Sequence, residues 1–226
     1  PGSNMPPNFQ VFRTALAQAL DLSENNLPFV AEMVEIKADE ARWRGAVERA
    51  IGGHRLRILV PLPLKQKALQ WVNNRDNRLY IRLLSISPPK KPPLFLKDGF
   101  TRKLKFKKHP QRELLKHLLA KIDRHCVETA QELTKIPFGM TPQGLMSGSK
   151  GLYEKQDQKP LTRDWMTGFS NKDRLVDLNQ QISQLQTQIK EIQQQFDTAK
   201  ARSKQTFDNL LMLSRIGEIT FDNIDL

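Results

Sequence analysis

From Leu175 onward the apolar residues fall on alternating steps of three and four: Leu175, Leu178, Ile182, Leu185, Ile189, Ile192, Phe196 and Ala199. No other feature constrains the chain so tightly. The spacing is the a/d seam of a left-handed coiled coil, in which a helix buries one narrow stripe against another helix. The register lapses at Ser203 and Thr206 and resumes at Leu210 and Leu213, giving a rod of roughly 58 Å at 1.5 Å per residue. Near the other end Phe9, Phe12, Leu16 and Ala19 repeat the steps three, four, three. A seam must be answered, and two answers are open. The N-terminal stripe can pack antiparallel on it, or a second copy can form a homodimeric zipper. Positions e and g are largely Asn179, Gln181, Gln186, Gln188, Gln193 and Gln195, so no charge code selects partner or direction. The intramolecular antiparallel pair is the expectation carried forward, with a folded domain at the tip of the arm.

A chain of 226 residues, 38% hydrophobic, can bury a real core in one domain or two small ones. The rod contributes little to that core. Residues 1–4 read as a cloning or protease-site remnant. No apolar run reaches the ~20 residues of a membrane span, and no signal-peptide pattern is present. The single cysteine, Cys126, excludes an internal disulfide and suits a reducing cytoplasm. A net charge of +12 asks for a polyanionic partner, nucleic acid before an anionic membrane.

Between the two stripes the pattern changes. A helix over 8–20 leads through Leu27-Pro28-Phe29 into a strand over 29–36. Asp39 caps a helix carrying Trp43, Val47 and Ile51, which Gly52-Gly53 ends. A strand over 56–60 stops at Pro61, a helix follows over 64–72, and a strand over 79–86. The run Ser-Pro-Pro-Lys-Lys-Pro-Pro to Pro93 cannot enter a helix or a central strand and marks a boundary. Beyond it, 100–107 alternates as a strand. Pro110 opens a helix with the stripe Leu114, Leu115, Leu118, Leu119 and Ile122. Cys126-Val127 is a short strand, and Gly139, Gly144, Gly148 and Gly151 punctuate hairpins or loops. Ser170 or Asn171 caps the long helix. The expectation is an α+β fold of two lobes, small sheets packed by helices, flanked by an antiparallel coiled coil. The divisions are a remnant 1–4, an N-terminal arm 5–26, lobe one 27–87, a linker 88–93, lobe two 94–170 and a C-terminal arm 171–226.

Catalytic chemistry finds little support. The segment from Gly144 to Gly151 invites comparison with a phosphate-binding loop, but Lys150 follows Ser149 and precedes Gly151, where that loop needs Gly-Lys-Ser/Thr. His54, His109, His117 and His125 show no metal-ligand spacing, and a strand would turn His125 and Cys126 to opposite faces. Asp39, Glu40 and Glu48 suit helix starts and surfaces. Neither an enzyme, a metal site nor a cofactor is expected. The basic density is more specific: Arg102, Lys103, Lys105, Lys107, Lys108, Arg112 and Lys116 lie close together. With Leu104 and Phe106 facing a core, period two puts Lys103, Lys105 and Lys107 on one outer face about 7 Å apart, able to follow a phosphate backbone. Double-stranded DNA, contacted without base reading, is the expected ligand. The competing explanation is a solvated strand whose lysines deter edge-to-edge aggregation.

Short motifs in order carry a resemblance. They are Leu27-Pro28-Phe29-Val30-Ala31-Glu32, Trp43-Arg44-Gly45-Ala46-Val47-Glu48-Arg49, Leu59-Val60-Pro61, Val72-Asn73 and Arg78-Leu79-Tyr80. Lys150-Gly151-Leu152-Tyr153-Glu154-Lys155 and Gly168-Phe169-Ser170-Asn171-Lys172 complete the set. Together they resemble the hinge domain of SMC-type condensin ATPases, most of all the Wadjet JetC/MksB type. Ala31 and Asn77 stand where that family would have glycine, and Phe169 where it would have tryptophan. The resemblance implies a homodimerising module of a DNA-translocating complex, acting in plasmid defence in the cytoplasm. Other subunits and ATP hydrolysis would belong to heads outside these residues. Gly144, Leu145, Met146, Gly148, Gly151 and Leu152 are the expected dimer contact, since glycines allow close backbone approach. The rival reading is a coiled-coil scaffold or adaptor that binds a protein partner and no DNA.

Overall fold

The structure, a computed structural model, describes residues 2–87 and 89–218. Pro1 of the expected remnant, Pro88 at the start of the expected linker and 219–226 at the end of the expected arm lie outside the described residues. The chain divides into two units, Pro1–Arg174 and Leu175–Leu226.

In the first unit, helix α1 (Pro7–Leu20) starts with proline in its first turn and ends on Asp21 in the left-handed region, φ 56°. The strand expected over 29–36 is divided. Its first half winds into a 3-10 turn, Val30–Met33, and only Val34–Ile36 is strand β1. The Glu32 carboxylate explains the winding: it accepts the Phe29 N–H at 3.0 Å and the Arg13 guanidinium at 2.6 Å, tying the segment back on itself. Helix α2 (Arg44–Ile51) follows a 3-10 stretch and stops at Gly52. Strand β2 (Ile58–Leu59), helix α3 (Lys65–Asn73) and strand β3 (Leu83–Leu84) complete lobe one.

Lobe two repeats the plan. A 3-10 turn, Phe100–Lys103, leads into β4 (Leu104–Phe106), then α4 (Arg112–Ala120), β5 (His125–Cys126), α5 (Ala130–Leu133) and β6 (Gly139–Met140). The correspondence extends to the pairing. Phe29 bridges β2 as Gly99 bridges β5, and β2 lies parallel to β3 as β5 does to β6. β1 and β4 pair antiparallel, Val34 with Phe106, Glu35 with Lys105 and Ile36 with Leu104. Equivalent residues thus exchange places about the Glu35–Lys105 pair, which is the mark of an internal two-fold. Lobe two then adds β7 (Leu145–Ser147) and β8 (Tyr153–Lys155), so its sheet runs β5-β6-β7-β8.

The main core is shared between the lobes. Val30, Met33, Val34, Trp43, Val47 and Ile51 pack with Phe100, Leu104, Leu115, Leu119 and Met140. A second cluster seats α1 on lobe one: Phe12, Leu16, Ala17 and Leu20 bury against Leu27, Phe29, Ile58, Val60 and Ala68. The Phe12 and Trp71 rings lie 5.6 Å apart, and Phe9 meets Phe29 edge-on at 6.4 Å. This corrects the N-terminal arm expected over 5–26. Phe12 and Leu16 are committed to the globular unit, because a three-four spacing serves an amphipathic core helix as well as a coiled coil. Asn4, expected to be foreign, is buried, with Nδ2 donating to Ser170 O and its backbone carbonyl accepting from Arg174 Nη1.

The second unit continues α6 (Lys172–Gly217), a 46-residue helix. Its seam residues are exposed, from Leu178 at 39% to Ile189 at 67%.

Candidate interface edges and basic strand

Among the described residues the sheets of the two lobes each end on a strand paired on one side only, as β1 and β4 also are in the ladder between the lobes. β3 ends the lobe-one sheet, paired on one side only, and β8 ends the lobe-two sheet. A strand at the end of a sheet presents unpaired N–H and C=O groups that another chain can extend. All three residues of β8 are exposed. β7 and β8 are joined by a tight turn, with Lys150 and Gly151 in the left-handed region (φ 54° and 78°) and Leu152 N–H donating to Ser149 O at 3.2 Å. Successive positive φ values at these two positions match the twist of a hairpin. The segment that resembled a phosphate loop is therefore the tip of a β-hairpin.

The six expected contact residues separate accordingly. Gly148, Gly151 and Leu152 lie at the hairpin tip, and Leu152 is 53% exposed. Leu145 and Met146 belong to β7, whose two sides are taken by β6 and β8. Gly144 is used inside the chain: a Cβ there would stand 2.9 Å from Arg49 Nη1 and 3.3 Å from the Leu161 side chain. These three offer no open backbone to a partner strand.

Beyond β8 the chain returns over α2, and Glu48 holds it there. Its Oε1 accepts the N–H groups of Met166 (3.0 Å) and Thr167 (2.6 Å) and the Thr167 hydroxyl (2.5 Å), while Arg55 Nη1 donates to Oε2 at 2.7 Å. The surface role expected for Glu48 is corrected, since it is only 4% exposed. Asp123 does similar work in lobe two, accepting from Leu96 N, Thr101 N and Thr101 Oγ1.

The basic surface also differs from expectation. β4 begins at Leu104, so Lys103 ends a 3-10 turn and does not share the strand's alternation. Its ammonium is 2.8 Å from Glu40 Oε2 and lies over the Trp43 ring at 4.7 Å, which removes it from the outer face. Lys105, Lys107 and Lys108 are exposed, as is Arg102, which lies over the Phe95 ring. Lys105 stands opposite Glu35 in the ladder. Arg112 is half-buried, and Lys116 pairs with Glu113 at 2.7 Å, holding that carboxyl below its ordinary range.

His125 Nδ1 lies 2.7 Å from Asp98. Burial, aided by Asp123, Asp98 and Glu40 and opposed by Lys103, pushes the Cys126 thiol up to about 12. Among the described residues no group of three or more His, Cys, Asp or Glu could hold a metal ion, and no helix is long and apolar enough to cross a membrane.

No protein-family profile matches the sequence, and no curated protein matches it. The fold has counterparts among solved structures. A chain of the folded elbow of cohesin superposes with a TM-score of 0.51 at 14% identity, over 93% of this chain and 32% of that one. The fold is shared with that chain. The Pyrococcus furiosus Smc hinge domain with an extended coiled coil aligns at 0.47 and 15% identity, over 91% of this chain and 73% of that one. A second structure of that organism's SMC hinge domain aligns at 0.45 and 16%, over 72% and 90%. The chain spans about a third of the length of the cohesin chain.

Proposed function

We propose that this chain is the hinge of an SMC-type condensin-like protein: a non-catalytic module that joins two copies and carries the start of an arm. The observation that carries the reading is the pair of open edges on related sheets, β3 in lobe one and β8 in lobe two. Two copies related by a two-fold can lay β8 of each against β3 of the other, so that one operation closes both sheets and leaves neither edge exposed. The exposed seam of α6 is one half of a coiled-coil arm, met by another helix of the assembly. Within the SMC group the ordered motifs favour the Wadjet JetC/MksB type. There the parent protein would extrude DNA in plasmid defence in the bacterial cytoplasm, with its ATPase heads and other subunits outside these residues.

Light scattering separates the lobes from the zipper. The chain should be a dimer, and should stay one when cut after Ile192. A monomer on shortening would assign dimerisation to α6, and a monomer at full length would end the hinge reading.

Sequence-independent contact with duplex DNA is the second part of the proposal, now placed on Arg102, Lys105, Lys107 and Lys108, with Arg112 and Lys116 beside them. Changing Lys105, Lys107 and Lys108 to Glu should weaken binding to a short duplex at least tenfold at ~100 mM salt, by fluorescence anisotropy, with scrambled sequences bound alike. No binding by the unaltered chain at low salt would leave a dimerisation module alone, or the adaptor.

A further inference from the structure

Two arginines and a histidine gather beside the open edge of lobe one without an anion to answer them. His54 and Arg57 are three residues apart where a 3-10 turn, Gly52–Leu56, enters β2, and Arg82 immediately precedes β3. The Arg57 N–H donates to His54 O at 3.0 Å, which closes the turn and holds the two residues together. Arg82 is drawn in against that turn. Its Nη1 donates to Gly53 O at 2.6 Å and its guanidinium lies over the Tyr80 ring at 4.2 Å, while a Cβ on Gly53 would collide with it. No carboxylate among the described residues pairs with His54, Arg57 or Arg82. His54 Nδ1 and Arg57 Nε are buried without a hydrogen-bond partner. Burial first, and then the neighbouring guanidiniums (Arg57 and Arg82 on His54, Arg82 on Arg57), push the pKa values of His54 and Arg57 down from their ordinary values, the sign of basic groups held close with too little compensation. A folded protein seldom leaves buried polar groups unanswered.

The missing anion is present on the other open edge. Glu154 is the central residue of β8 and its only carboxylate. It makes no ion pair or side-chain hydrogen bond among the described residues, and acts on Arg124 only through space.

We infer that Glu154 of a second copy docks on the His54–Arg57–Arg82 cluster, fixing the register in which β8 of one chain pairs with β3 of the other. This rests on the hinge reading and deepens it. An antiparallel register with Glu154 opposite Arg82 brings Tyr153 opposite Leu83 and Leu152 opposite Leu84. The chemistry agrees along the strand: two exposed apolar side chains, Leu152 at 53% and Tyr153 at 44%, meet the two leucines of β3, and the carboxylate meets the guanidinium. A slip of one residue would put Lys155 or Tyr153 opposite Arg82 and turn every side chain to the other face. Like charges placed across such a contact oppose it, so the pair also acts against wrong registers. Because each interface occurs twice in a two-fold dimer, its effect on association is doubled.

The test is a charge swap read by sedimentation equilibrium on the full chain. Arg82→Glu and Glu154→Arg should each raise the dimer dissociation constant at least tenfold. The double variant should recover to within about threefold of the unaltered chain. Glu154→Gln, a neutral change on an exposed strand that leaves folding intact by circular dichroism, should weaken the dimer less than Glu154→Arg. If the unaltered chain dimerises and Glu154→Arg dimerises equally well, the docking is overturned while the hinge reading stands. A double variant no better than its worse parent overturns it too. If the unaltered chain is a monomer, the hinge reading has failed first.

Discussion

Glu48 binds four donors from one buried position. Glu48→Ala would leave the Met166 and Thr167 N–H groups, the Thr167 hydroxyl and the Arg55 guanidinium without their acceptor. Orphaning that many buried donors costs about 3 kcal/mol, a fall in melting temperature of roughly 6–12 °C for a unit this size. Thermal unfolding by circular dichroism checks it, and a change below about 2 °C would mean that the 156–169 segment is held by other contacts. Cys126 makes a second, chemical prediction. With its thiol pushed up to about 12, it holds almost no thiolate at pH 8, and the thiolate is the reactive form. A thiol reagent should therefore modify the native chain far more slowly than the chain in denaturant.

His54 makes the third prediction, one of pH. Burial first, then Arg57 and Arg82, depress its pKa below the ordinary 6.5, so the unfolded chain takes up a proton at higher pH than the folded one. Between about pH 7.5 and 5.5 the unfolded state then binds more protons, and stability falls as pH falls. His54→Asn should lose less stability over that interval than the unaltered chain in paired denaturant titrations, and equal losses would remove His54 as the cause. At this scale the sequence was only partly legible. The exposed lysines Lys105, Lys107 and Lys108 could be read from composition and alternation. Glu48 and the His54–Arg57–Arg82 cluster could not, because their partners lie far along the chain and a charged residue in a helix reads as surface.

Among elements, the two heptad-like stripes show where pattern reading divides. α6 and α1 share the same apolar steps, yet Leu16 is fully buried and Leu185 is 57% exposed. The steps define a stripe on a helix and nothing about what covers it. Leu16→Ala should therefore cost the globular unit about 2–5 kcal/mol, whereas Leu185→Ala should leave that unit's transition within about 0.5 kcal/mol. Urea titrations of both variants, followed by tryptophan fluorescence, decide it. Equal effects would place Leu16 outside the core. Helices were otherwise well marked by their periods, α4 by its leucine stripe most plainly. Strands were marked but overdrawn. The stretches 29–36, 56–60, 79–86 and 100–107 each yield two or three residues of ladder, because 3-10 turns and open edges take the rest. α5 is not among the expected helices although Thr129 and Glu132 form a capping box, with Thr129 Oγ1 accepting from Glu132 N at 3.2 Å. That signature was present in the sequence and marks a helix start.

At the scale of the whole molecule, the duplication of lobes explains both the shared core and the two edges. It was hidden in the sequence by unequal connections: α3 spans nine residues where α5 spans four, and lobe two adds a hairpin. Only the triplets Val34-Glu35-Ile36 and Leu104-Lys105-Phe106 keep a visible likeness, apolar, charged, apolar. Those triplets form the ladder between the lobes, and the main cluster draws large side chains from both. Neither half can complete that core alone. Residues 2–87 would expose Val30, Val34, Trp43 and Val47, and residues 89–174 would expose Phe100, Leu104 and Leu115, a loss of roughly 2 kcal/mol for each large apolar side chain returned to water. A net stability of 5–15 kcal/mol does not survive several such losses. Each half expressed alone should show neither dispersed amide resonances nor a cooperative thermal transition. Mixed in equal amounts, the halves should regain both, since the β1–β4 ladder and the core re-form without a peptide bond at the 88–93 connector. A cooperative transition in either isolated half would make the lobes independent domains and reduce the shared cluster to a contact between them.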